Sequence, residues 1–303
     1  MTTMTDQMTL SFWLGNYPNT AALKNGQVRS DLVKFDFPEV KIANRGFKSI
    51  VREAKYDVGE LAIGTYLQAK AYNKPYVLIP CVVMGRGQHH TIAYNPERGT
   101  LRPSDLNGKR VGVRAYTQTT GAWLRGILAD DYGVDVDKVR WITFEDPHVG
   151  EYQDPDIVER APEGKELVQM LLDGEIDAAI VGDSLPDPRL KYLIPDHEAA
   201  AAKWAATHGG VPLNHMVVVR DHISRSRPDV VRDIFRMLWE SKQAAHLPDA
   251  GTPKDALRFG VEANRRLLET IIDYCLRQRL IPRRFTVDEL FDDTTRALKV
   301  ART

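Results

Sequence analysis

Short apolar runs alternate along the chain with longer stretches in which apolar residues recur every three to four positions. The runs at 10–14, 40–43, 58–63, 76–84, 91–94, 111–113, 139–143, 178–181 and 215–219 predict strands. The stretches at 21–25, 47–53, 63–71, 119–132, 164–173, 228–245 and 260–279 predict helices. Strands alternating with helices of this kind build mixed, mostly parallel sheets with helices on both faces, an α/β fold.

Two segments refine that picture. In the first, Asn107-Gly108 marks a turn, Val111-Gly112-Val113 reads as a short strand, and Thr117 to Thr120 offer helix caps ahead of an apolar face made by Trp123, Leu124, Ile127 and Leu128. A helix start at the carboxyl edge of a parallel sheet is a usual place for an anion. In the second, Leu171 to Gly182 reads as a helix end, a glycine stop and a strand emerging at Gly182-Asp183. The long C-terminal helices then need a seat on the first half of the chain. The pattern therefore predicts two lobes, 1–90 plus 217–303 and 91–216, with crossovers near residues 90 and 216 and a cleft between.

Composition narrows the function classes. Of 303 residues, 43% are hydrophobic and 27% charged, which is ordinary for a globular protein with a real core. The 41 basic and 41 acidic residues cancel, so no net field draws a nucleic acid or another polyanion. No run approaches the roughly 20 apolar residues of a membrane span. The start, Met1 to Leu10, lacks the basic and apolar regions of a secretory signal, so a cytoplasmic location is expected. Cys81 and Cys275 are too few for a disulfide framework and are expected as reduced core thiols.

Asp105 to Val113, Asp57-Val58-Gly59-Glu60 and Gly174 to Ile180 resemble type II periplasmic binding proteins. More specifically, the chain is similar to the 4,5-dihydroxyphthalate decarboxylase group of that superfamily. The matching positions are Glu60 in DVGELAIGTYL, Arg86 and His90 ahead of TIAYN, Tyr116, Thr119, Trp123 and Arg125-Gly126 in YTQTTGAWLRGIL, and His215 in PLNHMVVVR. The likeness spans most of the chain, and the Tyr116-to-Gly126 stretch is its most specific part. It implies a two-lobed type II periplasmic-binding-protein-like fold without a leader. It also implies conversion of a hydroxylated benzene dicarboxylate to protocatechuate without an organic cofactor. Gln88-His89-His90-Thr91, Arg114-Ala115 and Glu145 to Tyr152 depart from the group's pattern. The changes at His89 and Arg114 fall where a member is expected to grip its carboxylates.

Ring decarboxylation sets three demands: a proton donor over the carbon bearing the carboxylate, a group that stabilises the phenolate para to it, and donors for the remaining carboxylate. His90 is the first candidate for proton donor, with Glu60 and His215 as further catalytic candidates. Arg86, His89, Arg114, Tyr116, Thr117 and Thr119 are candidates for binding a small aromatic carboxylate. In a strand, His89 and His90 would point to opposite faces, so that only one would line the cleft. Trp123 reads as core, and His148 as part of a solvated loop. No ligand spacing such as His-x-x-x-His occurs, so no metal is expected. There is no Walker loop, Gly-x-Ser-x-Gly elbow or Rossmann fingerprint. A solute-binding protein or ligand sensor for a small aromatic or anionic compound is the alternative, and an enzyme acting on chorismate-derived acids a more distant one. Leu267, Leu268, Ile271, Ile272 and Leu276 form one helix face that packs either on the first lobe or on a second copy, as a homo-oligomer.

Overall fold

The structure, a computed structural model, describes residues 7–300. Most of the start that bears on a secretory signal lies outside those residues. Among the described residues no helix is long and apolar enough to cross a membrane.

Two sheets form. The first takes β1 (Met8–Trp13), β2 (Val33–Asp36), β3 (Val58–Ala62), β4 (Tyr76–Gly85) and β11 (Leu213–Arg220), in the order β2-β1-β3-β11-β4. Its first three strands run parallel, and β11 lies antiparallel to both β3 and β4. The second takes β5 (Ile92–Tyr94), β6 (Arg110–Val113), β7 (Arg140–Thr143), β8 (Val158–Arg160), β9 (Ala178–Ile180) and β10 (Lys191–Tyr192), in the order β10-β5-β9-β6-β7-β8. Its β9, β6, β7 and β8 run parallel; at one edge β5 runs antiparallel to β9, and β10 antiparallel to β5. The chain thus leaves the first sheet after β4 and returns to its middle with β11.

The predicted helices at 47–53, 63–71 and 119–132 form as α2 (Phe47–Glu53), α3 (Ile63–Ala71) and α4 (Thr119–Tyr132), and α5 (Leu167–Asp173), α6 (His197–His208) and α7 (Asp221–Ser226) follow. The strand expected at 40–43 does not form; those residues lead into a single 3-10 turn, Ala43–Gly46. The Val-Lys-Ile alternation there imitates a strand, but β2 already fills that edge of the sheet. β2 itself escaped notice because its four residues bury only Val33. His89 and His90 also differ from expectation: they sit in a 3-10 turn, His89–Thr91, so strand alternation does not decide where they point.

α4 is closed over on all sides through its first ten residues, Thr119 to Leu128. Gly126 allows this. A Cβ there would stand 2.1 Å from the buried Tyr274 ring, so only hydrogen lets the helices approach. Tyr274 belongs to α9 (Val261–Arg277), which packs on α4 and also on α3. At its end Gln278 accepts from Arg125 Nε (2.7 Å) and donates to the Ala122 carbonyl (2.8 Å). The sequence leaves the C-terminal helices to pack on the first lobe or on a second copy; α9 bridges α3 and α4, helices of both sheets. Leu267, Leu268, Ile271 and Ile272 are buried in this packing. The face considered for a second copy is therefore closed within the chain, and any homo-oligomer must use another surface. α8 (Pro228–Ala244) covers the first sheet with Val230, Val231, Ile234, Phe235 and Leu238, and packs on α1 (Pro18–Lys24). Cys81 and Cys275 are buried and unpaired.

Candidate active site between the two sheets

A cavity of about 480 Å³ lies between the sheets, where the carboxyl ends of β3 and β6 approach each other. The Gly15–Tyr17 loop, residues 40–44, Phe47 and Thr65 form one wall. Arg114, Gln118 to Thr120, His148 and Asp183 form the other, and Arg86 and His215 stand where the chain passes between sheets. At the floor α3 and α4 nearly touch: the Gly64 N–H donates to Thr119 Oγ1 at 3.0 Å. A Cβ on Gly64 would lie 2.8 Å from that oxygen, so the close approach needs glycine.

The most organised feature is a buried carboxylate behind an exposed-edge imidazole. Glu60 lies in the all-buried strand β3 and has no solvent exposure. Its Oε2 accepts from the Gly15 N–H (2.7 Å), and its Oε1 accepts from the Tyr17 hydroxyl (2.7 Å) and faces His215 Nδ1 at 2.5 Å. Three donors on two oxygens solvate a carboxylate as water would, without water's freedom to reorganise. Burial and Glu60 both push the Tyr17 phenol well above its ordinary value, so Tyr17 remains a donor. With Nδ1–H given to Glu60, the other ring nitrogen of His215 is free for the cavity that the residue borders.

A second histidine faces the same space. His148, on the loop after β7, meets Thr65 Oγ1 through Nδ1 at 2.8 Å. Phe47 stands between the two imidazoles, edge-on to His215 at 5.2 Å and to His148 at 5.5 Å. Burial, followed by Arg114, Lys48 and Arg52, lowers the His148 imidazole from 6.5 to about 3, so it is neutral at ordinary pH. Arg52 also holds the loop from the opposite sheet, donating to the carbonyls of His148 (2.8 Å) and Pro147 (2.7 Å).

Arg86 pairs with Asp183 and donates to Thr120 Oγ1 at 3.2 Å. Arg114 lies 3.6 Å from Glu145. With Lys41, these give the cavity three cations against the single carboxylate of Asp183 on its lining. The neutral whole-chain sum conceals that local excess.

Of the residues singled out from sequence, Arg86, Arg114, Thr119 and His215 border the cavity, and Glu60 stands directly behind His215. The others are placed elsewhere. His90 does not border it. Its Nε2 lies 3.3 Å from Arg86, and burial and Arg86 hold the ring below its ordinary value, which disfavours a proton donor. His89 is closed off, with burial lowering it to about 4. Tyr116 is core: the Arg125 guanidinium stacks 4.0 Å above its ring, and its hydroxyl donates to the Gln278 carbonyl at 3.3 Å. Thr117 is buried away from the cavity. His148, read as part of a solvated loop, is only 8% exposed and is the site's second imidazole. Tyr17 and Thr65 carried no sequence signal, and Asp183 stood out only as the exit of a strand. For His148 the signal was its place in a segment that departs from the family pattern.

The two buried neutral histidines make stability depend on pH. Both are depressed in the folded state, so between about 4 and 6.5 the unfolded chain takes up protons that His89 and His148 refuse. Their contribution is full above 6.5 and is lost as pH falls below it. The thermal midpoint is expected to drop steeply from pH 7 to pH 4, and less steeply in His148→Gln. An equal slope in that variant would contradict the assignment.

No protein-family model matches the chain. It is 31% identical over 279 residues to a 4,5-dihydroxyphthalate decarboxylase of Comamonas testosteroni, covering 84% of this chain and 81% of that protein. It is 32% identical over 217 residues to a 4,5-dihydroxyphthalate decarboxylase of Pseudomonas putida, covering 66% of this chain and 82% of that one. Among solved structures, the periplasmic aliphatic sulphonate binding protein SsuA of Escherichia coli matches with a TM-score of 0.56 at 12% identity, over 94% of this chain and 98% of that one. The alkanesulfonate-binding protein SsuA of Xanthomonas axonopodis pv. citri, bound to MOPS, matches with a TM-score of 0.54 at 12% identity, over the same shares. Those two likenesses show the fold: two lobes of the periplasmic-binding-protein kind.

Proposed function

Because the chain belongs to the 4,5-dihydroxyphthalate decarboxylase family, we propose that its interlobe cavity decarboxylates a hydroxylated aromatic acid with His215 as the proton donor. The protein is a carboxy-lyase, and the binding-protein alternative is the weaker reading. The observation that carries the residue assignment is the buried Glu60–His215 couple opening on a cationic cavity.

In 4,5-dihydroxyphthalate each carboxylate has a hydroxyl para to it. The ionised hydroxyl lends an electron pair to the ring, and the ring carbon bearing the carboxylate takes a proton from His215 Nε2. The carbon–carbon bond to the carboxylate then breaks. Its electron pair restores the aromatic ring and the phenolate, and CO2 leaves. His215 regains its proton from solvent. Glu60 fixes the imidazole through Nδ1 and offsets the charge of the imidazolium form, as a buried carboxylate does in other acid–base couples. Arg86, which pairs with Asp183, and Arg114 hold the carboxylate that stays.

The lobes we assign to this work are 1–90 plus 217–303 and 91–216; the two sheets divide in the same way except that β11 joins the first sheet already at Leu213, so His215 stands on the first sheet. Two buried, unpaired cysteines suit a reducing, cytoplasmic setting. The direct test is purified protein with 4,5-dihydroxyphthalate, followed by CO2 release and by the appearance of protocatechuate. Turnover is expected. Inertness toward this compound and a panel of hydroxybenzoates would remove the reading.

A further inference from the structure

We propose that His148 binds the ionising ring hydroxyl of the substrate, so that the hydroxyl para to the departing carboxylate lies at the His148–Thr65 end of the cavity. The proposal rests on the decarboxylase reading and adds a second catalytic residue, supplied by the loop after β7 of the second sheet.

The reaction needs unlike groups at opposite ends of one benzene ring: a proton donor at the carboxylate carbon and a phenolate-binding group across from it. The cavity holds two imidazoles on either side of Phe47, and their surroundings are opposite in sign. His215 faces the Glu60 carboxylate. His148 is surrounded by Arg114 from the turn after β6, Lys48 and Arg52 from α2, and His215 from β11. Glu145 lies against Arg114, at 3.6 Å. A carboxylate partner suits an imidazole that passes through a charged form. A cationic setting suits an oxygen that becomes an anion.

His148 itself is kept neutral by burial and by those cations, so it does not compete with His215 as an acid. Its Nδ1 is occupied by Thr65. With the Thr65 hydroxyl donating there, Nε2 carries the hydrogen and donates to the ring oxygen. Thr65 belongs to α3 of the first lobe, and Arg52 of α2 grips the two carbonyls of the His148 loop. His148 is therefore positioned only while the second lobe's loop is docked on the first. Arg52 and Thr65 are positioning residues in that arrangement.

The test compares wild type with His148→Ala, His148→Gln and Thr65→Val, using 4,5-dihydroxyphthalate turnover across pH and ultraviolet titration of bound protocatechuate. In wild type, the catechol of bound protocatechuate is expected to ionise at lower pH than in free solution. In His148→Ala, kcat at neutral pH is expected to fall by about 100-fold. The rising limb of kcat, which reports the enzyme–substrate complex, should move up by about one to two pH units. The deficit then shrinks at alkaline pH, and the ultraviolet shift of bound protocatechuate is lost. Thr65→Val should move both readouts the same way by less. A variant that keeps the wild-type limb and ultraviolet shift overturns the proposal. So does a deficit equal at every pH, since that would mark a structural role. Should His148→Ala fail to fold, His148→Gln reads the same limb. Absence of any CO2 from wild type overturns the decarboxylase reading itself, an outcome visible before any variant is compared.

Discussion

His215→Asn is expected to lower kcat by about 1,000-fold while leaving protocatechuate binding within a few-fold of wild type. General acid catalysis by a placed side chain contributes about 10²- to 10⁴-fold. The asparagine amide fills much of the imidazole's volume and can still hydrogen-bond Glu60 Oε1, so the strand pairing of His215 with Ala62 and Met84 is kept. It has no proton to give at the ring carbon. The substitution leaves Arg86, Arg114 and Thr119, the cavity residues proposed to bind the carboxylate, in place. Steady-state kinetics together with a calorimetric titration separate the two effects. A variant retaining a tenth or more of wild-type kcat would move the proton donor elsewhere.

Trp123→Ala is expected to cost about 3–5 kcal/mol of stability, the range for truncating a large buried aromatic. Trp123 has no exposed surface. Its ring stands edge-on to Trp204 at 5.7 Å and to Tyr274 at 5.8 Å, so three aromatic residues from three helices meet there. Its Nε1–H donates to the Leu213 carbonyl at 2.8 Å. Leu213 opens the strand that carries His215, so the loss combines a core cavity with a loosened support for the active site. Trp123→Phe keeps most of the packing and leaves that carbonyl without its donor, at an expected cost of about 1–2 kcal/mol. Urea denaturation reads both values. A cost below about 1 kcal/mol for the alanine variant would mean that the surrounding rings collapse into the space.

The fold was largely legible because its main signals are local. Periodicity placed α2, α3 and α4 at their observed bounds, and the Gly182-Asp183 exit and the turn at Asn107-Gly108 marked strand ends. What failed were short edge strands such as β2 and β8, which bury too little to leave a pattern. The site was legible in part. His215 and Glu60 stood out as positions of the family resemblance, one at the second crossover and the other at a strand end. His148 did not, because its burial comes from a contact across the cleft with Thr65 and from Arg52, both distant in sequence. The Tyr116-to-Gly126 motif was informative about family and misleading about chemistry. Tyr116, Trp123, Arg125 and Gly126 brace α4 against α9, and only Gln118, Thr119 and Thr120 of that stretch reach the cavity.

The position of β11 bears on how the chain assembles. It is the strand between β3 and β4, yet more than 120 residues separate it from the end of β4 (Gly85 to Leu213). During synthesis β3 and β4 are complete long before their shared neighbour leaves the ribosome, and both present unpaired backbone edges in the interval. The second sheet, made of strands from 92 to 192, has all its pieces first. Closing the first sheet is thus a late, long-range event that slows folding and extends exposure to aggregation. Strand β11 carries the residue assigned to proton donation, so a nascent chain holds no working acid until its first sheet is whole.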